Sequence, residues 1–372
     1  MKNLLALSAV ALLLASCTSK PAPAAEDSGS LRDVFPDYKI GVAINVNQSS
    51  GQDVVGDSLI LRHFNSIVAE NCMKCEVVHP EEHTYNWTDA DQFVKFGEDH
   101  GMQIIGHCLI WHSQCAPWFG VDSLGKPVTA EVLKERMREH IYTEVGRYKG
   151  RVAGWDVVNE MVEDDGSYRE SFFYQILGPE YIMLALQYAH EADPDAELYL
   201  NDYAMASPGK RDRYVEIIKE AKARGLRLDA IGLQSHMGLD HPDWANFEAS
   251  IQAYIAAGVD VQFTEIDMGA LPTITRHAEV SDNFEYEQAL NPYPEALPDS
   301  ISTLWNDRMT TFLSIVDKYA DHVRRVTTWG VTDRDSWKND WPIKGRTDYP
   351  LWIDRNNQLK PFLQQRLSRQ AD

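Results

Sequence analysis

Two glutamates, Glu160 and Glu265, stand at the ends of long apolar runs, residues 152–158 and 259–263. A carboxylate carried there is partly withdrawn from water. Two such groups at one rim can divide the work of proton donor and nucleophile, the recurrent solution for hydrolysing acetals. Eight apolar runs in all, these two included, end in polar or aromatic residues: Asn45, Glu70-Asn71, His107, Asn159-Glu160, Asn201-Asp202, Gln234-Ser235-His236, Glu265-Ile266-Asp267 and Trp329. One polar residue closing a strand carries no message, whereas eight endings of this kind describe a binding rim. The same His, Asp and Glu residues could ligate a metal. No His-Glu-x-x-His or comparable spacing occurs, however, so the expectation is a site without metal or cofactor.

The elements that must position these groups follow from the periodicity. Short apolar runs lie at residues 40–44, 66–69, 102–105, 152–158, 197–200, 230–233, 259–263 and 323–328. Between them come helical patterns at 130–148, 181–192, 209–224, 244–257 and 301–319, with a last one at 358–369. Eight strand–helix alternations predict a parallel sheet closed into a single (β/α)8 barrel over residues 37–372, of class α/β. An open doubly wound sheet is the alternative, but no Gly-x-Gly-x-x-Gly follows the first strand and no Walker sequence occurs. In a barrel the C-terminal ends of the strands form the active face, where all the residues above fall.

Charge narrows the partners. The 372 residues carry 35 Lys and Arg against 56 Asp and Glu, 35 − 56 = −21 at pH 7. So acidic a chain repels nucleic acid and an anionic bilayer surface, and leaves neutral partners open. The first 16 residues, with Lys2 before an apolar run at 4–15, read as a signal peptide. They end in Leu14-Ala15-Ser16-Cys17, which resembles the lipobox of bacterial lipoproteins, with Cys17 the acylated residue. A Pro/Ala/Ser stretch follows, and 17–36 reads as a lipidated tether. The expectation is an extracytoplasmic monomer that meets the membrane only through a lipid anchor at Cys17.

Seven segments together resemble glycoside hydrolase family 10 endo-xylanases from about residue 37 to the C-terminal helix. They are Glu70-Asn71-x-x-Lys74, Gly106-His107-x-x-x-Trp111-His112-x-Gln114, Trp155-Asp156-Val157-Val158-Asn159-Glu160, Asn201-Asp202-Tyr203, Gln234-Ser235-His236, Thr264-Glu265-x-Asp267 and Trp329-Gly330-Val331-x-Asp333-x-x-Ser336-Trp337. The resemblance implies hydrolysis of xylan and xylooligosaccharides with retention, Glu160 as acid/base and Glu265 as nucleophile. It implies carboxyl groups ~5–5.5 Å apart. By the same likeness His236, held by Asp267, donates to Glu265, and Asn159 binds the sugar 2-hydroxyl beside the cleaved bond. Glu70, Asn71, Lys74, His107, Gln114 and Gln234 would bind substrate through hydrogen bonds, and Trp111, Tyr203, Trp329 and Trp337 would wall the sugar faces. A retaining β-glucanase on the same barrel is one alternative, and a non-catalytic glycan-binding lipoprotein another.

Two features depart from the family pattern. Cys75 and Cys115 stand where a bulky apolar residue or Pro is usual, with Cys72 and Cys108 inside the matching motifs. The four are expected as thiols or one disulfide, Cys75 to Cys115. The second departure is residues 269–300, long for a connection and holding Pro272, Pro292, Pro294 and Pro298. This segment is expected to wall the aglycone side, its acidic stretch 282–287 being a solvated loop more than a calcium site.

Overall fold

In the computed structural model, which describes residues 29–274 and 283–371, nine strands follow in order. They are β1 (Lys39–Ile44), β2 (Ser66–Ala69), β3 (Gln103–Trp111), β4 (Gly154–Asn159), β5 (Glu197–Asp202), β6 (Ala230–Leu233), β7 (His236–Gly238), β8 (Asp260–Gly269) and β9 (Val323–Thr328). All pairings are parallel. From β1 the ladder runs through β2, β3, β4, β5 and β6, then skips to β8 and returns through β9 to β1. The expected eight-stranded barrel therefore closes, and closure leaves it no free edge. Short β7 is an extra piece that pairs only with the far end of β8.

Nearly every strand residue is buried, as expected of a parallel sheet covered by helices. The main apolar core fills the layer between strands and helices, and a smaller cluster of Ala43, Val68, Ile105, Tyr199, Ala230 and Trp329 fills the barrel interior. Helices at Ala130–Arg147, Pro208–Ala223 and Asp299–Lys318 occupy predicted positions. Local chemistry sets their limits. The Thr129 and Asp243 side chains accept N–H groups of Val132 and Asn246 at helix starts, and Gly258 ends the helix Trp244–Ala257 at φ 92°.

The structure differs from the sequence reading in two places. Strands β3 and β8 run beyond their apolar runs, to Trp111 and Gly269. Inside a closed barrel polar residues still pair in the ladder, so hydropathy understates strand length. Residues 31–35, expected to belong to a tether, are instead packed against the barrel. Residues Leu31–Val34 form a helical turn whose Leu31 and Val34, followed by Phe35, are buried in the main core. The signal peptide, Cys17 and residues 18–28 lie outside the described residues, as do 275–282 of the long connection. Its described remainder carries one short turn, Gln288–Leu290. No helix among the described residues is long and apolar enough to cross a membrane.

Candidate active site

Strand register assembles the site. Trp111 of β3 lies opposite Asn159 of β4, Asn159 opposite Asn201 of β5, and His236 of β7 opposite Asp267 of β8. A cleft of about 560 Å³ opens above them, lined by Glu70, Asn71, Lys74, His107, Trp111, Gln114, Asn159, Glu160, His236, Glu265, Trp329 and Trp337. Most of these side chains leave the C-terminal end of a strand or the loop beyond it, whereas His107 and Glu265 lie within β3 and β8 and His236 comes from the added strand. Gly232 on β6 makes room for the floor, because a Cβ there would lie 2.3 Å from Asn201 Oδ1.

Glu160 and Glu265 are tied through two amides. Asn159 Nδ2 donates to Glu160 Oε1 at 3.2 Å, Asn201 Nδ2 donates to Asn159 Oδ1 at 2.9 Å, and the same Nδ2 donates to Glu265 Oε1 at 2.8 Å. Thr264 Oγ1 fixes that amide by donating to Asn201 Oδ1 at 2.6 Å. Glu160 also receives the Gln234 amide at 3.1 Å on Oε1 and the Trp111 indole N–H at 2.9 Å on Oε2. Its backbone sits at φ 57°, a left-handed conformation uncommon for a non-glycine residue, locked by its N–H donating to the Asn201 carbonyl at 2.8 Å.

The two carboxyls have opposed proton preferences. Burial raises Glu160 above the ordinary carboxylate range, and the nearby negative charge of Asp202 adds to it. Burial is the largest single effect on Glu265 too, but there the hydrogen bonds from His236 and Asn201 and the electrostatic influence of the neighbouring histidines together outweigh it. Glu265 therefore lies below the ordinary range. His236 can sustain this because, against the effect of burial, Asp267 and Glu265 lift it from 6.5 to about 9, so it is charged at neutral pH. Its Nε2 lies 3.2 Å from Glu265 Oε2 and its Nδ1 2.9 Å from Asp267 Oδ2. Asp267 is completed by the Trp337 indole N–H at 2.8 Å and by the Lys338 ammonium at 3.4 Å.

Most expected sugar-binding groups line the cleft. Lys74, buried, donates to Asn71 Oδ1 at 2.8 Å and Gln114 Oε1 at 2.7 Å, and His107 is held by Asp156 Oδ2 at 2.9 Å. Gln234 and Tyr203 do not line the cleft, and Trp111 does so with little exposed surface. Gln234 is fully buried and absent from the cleft wall, its amide spent on Asn159 and Glu160, so it positions the carboxyl and does not bind substrate. Trp111 lines the cleft with 6% of its surface exposed, its N–H taken by Glu160 and the Lys74 ammonium 5.0 Å from its ring centroid. Tyr203 borders a neighbouring recess, its ring 4.1 Å from the Lys210 ammonium and its hydroxyl paired with Arg169.

Sequence reasoning missed Asn201 and Asp202 as working parts. Both close an apolar run like Asn159 and Glu160, yet nothing in spacing tells that Asn201 faces Glu265. Asp202 is buried between Lys210 Nζ at 3.0 Å and Tyr214 OH at 2.9 Å. Of the cysteines, Cys75 and Cys115 are adjacent with their Sγ atoms 3.6 Å apart and unbonded, and Cys72 and Cys108 are buried free thiols. Among the described residues no cluster of His, Cys, Asp and Glu could hold a metal ion.

A parallel barrel bearing, in one sugar-sized cleft, one carboxyl inclined to keep its proton and one inclined to lose it defines a barrel glycoside hydrolase. Residues 30–368 match the model of glycosyl hydrolase family 10, and the chain belongs to that family. It is 50% identical over 347 residues to endo-1,4-β-xylanase A of Xylanibacter ruminicola, covering 92% of this chain and 94% of that enzyme. A solved family 10 endoxylanase from a sugarcane soil metagenome is 41% identical with a TM-score of 0.87, covering 91% of this chain and all of that one. A mutant of an intracellular xylanase from Thermoanaerobacterium saccharolyticum, solved with xylotetraose, is 30% identical with a TM-score of 0.78, covering 90% and 98%.

Proposed function

We propose that the chain is an endo-1,4-β-xylanase that cleaves internal bonds of xylan with retention of configuration, Glu265 being the nucleophile and Glu160 the acid/base. The observation that carries this reading is the pair of buried carboxyls joined across the Asn159–Asn201 bridge, whose surroundings shift their proton affinities in opposite directions. Glu265, ionised under His236, attacks the anomeric carbon while Glu160 passes its proton to the departing oxygen. A glycosyl-enzyme ester forms. Glu160, now deprotonated, takes a proton from water as that water attacks the same carbon, and Glu265 is released. Asn159, held by the buried Asn201, would contact the reacting sugar between the carboxyls, where a bond to its 2-hydroxyl can strengthen in the transition state. Product analysis on xylan, xylooligosaccharides and mixed-linkage glucan, with the first-formed anomer read by NMR, tests the assignment. Internal cleavage of xylan with the β-anomer first is the expected result. Cleavage of glucan alone, or binding without cleavage, would replace it by one of the alternatives.

Preference for xylan over cellulose is proposed to be steric. Gln114 and Trp337 crowd the region into which the hydroxymethyl group of a glucose would project. Gln114→Ala combined with Trp337→Phe should narrow the kcat/KM ratio of aryl xylobioside to aryl cellobioside, chiefly by improving the glucoside. Absolute xylan activity should fall as well, since Trp337 also donates to Asp267. A ratio that holds or widens in the folded double variant refutes the steric account. Each ~1.4 kcal/mol between the two transition states is tenfold in that ratio.

Acylation at Cys17 is the proposed anchor, supported by the small residues before it at the end of the apolar run. Expressed in a bacterial host, the full chain should partition with membranes and be released by detergent but not by salt, because acyl chains bind hydrophobically. Cys17→Ser should accumulate as precursor or appear soluble. An unmodified N-terminus on a soluble wild-type protein refutes the anchor.

A further inference from the structure

Two thiols at the edge of the cleft take no part in the mechanism. Cys75 directly follows Lys74 and Cys115 directly follows Gln114, so each sulfur is one residue away from a group lining the cleft. The two segments are already laced together. Lys74 Nζ donates to Gln114 Oε1 at 2.7 Å, the Glu76 backbone N–H donates to the Gln114 carbonyl at 3.1 Å, and Gln114 Nε2 donates to Glu76 Oε1 at 3.1 Å. Beside these bonds the Cys115 thiol donates to Cys75 Sγ at 3.6 Å. That contact, joined by the Ala116 backbone N–H, holds Cys75 below the usual thiol range against the effect of burial. The other two cysteines differ. Burial pushes the Cys72 thiol up to about 12 and raises Cys108 as well, which leaves neither a ready thiolate.

A disulfide needs its sulfurs ~2.05 Å apart, so closing this pair brings them together by only ~1.5 Å. Access is graded, with Cys115 partly exposed and Cys75 buried. We propose that Cys75 and Cys115 form a site of reversible oxidation, converted to a disulfide by a small disulfide such as oxidised glutathione, and that the new bond clasps Lys74 and Gln114 in their sugar-binding positions. Cys115 exchanges first, releasing one reduced thiol, and the Cys75 thiolate then displaces the second from the mixed disulfide. One sulfur–sulfur bond breaks in the oxidant and one forms in the protein. Two electrons and two protons leave with the two released thiols. Lys74 and Gln114 are long side chains that lose freedom on binding sugar, and tying the residues beside them removes part of that loss beforehand. The loop so closed runs from 75 to 115, which also restricts the unfolded chain. The oxidation stands by itself, whereas its effect on catalysis rests on the xylanase reading.

The test equilibrates the purified protein with oxidised glutathione or with dithiothreitol, blocks the remaining thiols with N-ethylmaleimide in denaturant, and maps peptides without reduction. A single cross-link from Cys75 to Cys115 is expected in the oxidised sample, with Cys72 and Cys108 blocked as thiols. The oxidised form should melt ~5 °C higher, and its KM for xylohexaose should be ~3-fold lower at a kcat within ~2-fold, both reversed by dithiothreitol. Cys75→Ser and Cys115→Ser should each keep the reduced-state melting point and KM whichever reagent is present. Thiols that all remain free, or a cross-link through Cys72 or Cys108, overturn the proposal without any variant. A 75–115 cross-link that leaves KM unchanged overturns the clasp, as does a redox shift in KM that persists in both variants. A protein that forms the cross-link and melts higher yet does not cleave xylohexaose would instead strike the xylanase reading.

Discussion

Glu265→Gln is expected to abolish turnover on every substrate, polymer or activated aryl glycoside, by ~10⁴-fold or more. The amide keeps the size of the carboxylate but cannot attack the anomeric carbon, so no glycosyl-enzyme forms and no burst of aryl leaving group appears. Loss of the fold would give the same silence, and one further readout separates the two. Glu265 is among the groups that hold His236 up near 9. Removing its charge must lower the His236 pKa, which NMR titration of the folded variant reads directly. A variant that retains measurable burst kinetics would falsify the assignment of the nucleophile.

Glu160→Ala should fail in a different way. On xylan, whose leaving group needs a proton, kcat should fall by ~10²–10⁴-fold, the usual worth of general acid catalysis. On dinitrophenyl xylobioside, whose leaving group departs unaided, the first step should survive. The intermediate then accumulates for want of a base, and azide, which needs none, should restore turnover with a β-glycosyl azide as product. The pH profile supplies the sign. Glu160 works protonated, and its raised carboxyl keeps that proton above the ordinary carboxylate range, so activity falls as pH rises through the raised value. In Glu160→Ala that alkaline limb should vanish on the activated substrate. Equal losses on both substrates without azide rescue would reassign the acid/base.

How far the site could be read in advance differs from residue to residue. Glu160, Glu265, His236 and Asp267 were legible because each ends or follows a buried run, and in a parallel barrel all such ends meet on one face. Hydropathy marked the runs and strand–helix alternation counted them, so the barrel class was legible too. Gln234 falls outside the cleft wall because a polar residue at a rim can face the substrate or the catalytic carboxyl, and the two choices share one sequence signature. Asn201 was passed over for a related reason. Its importance comes from standing opposite Asn159 across β4 and β5, and register between strands separated by a whole helix is set by packing.

The sequence by itself determined which chemistry was at hand, since two carboxylates at strand ends and the seven matching segments are properties of residue type and order. Tertiary structure alone decided which carboxyl keeps its proton. Both glutamates are buried and burial raises both, so the difference lies in neighbours brought from elsewhere in the chain: Asp202 beside Glu160, and the charged His236–Asp267 pair beside Glu265. Coulombic and hydrogen-bond effects act over a few ångströms, and in a folded chain those ångströms are spanned by residues tens to hundreds of positions apart.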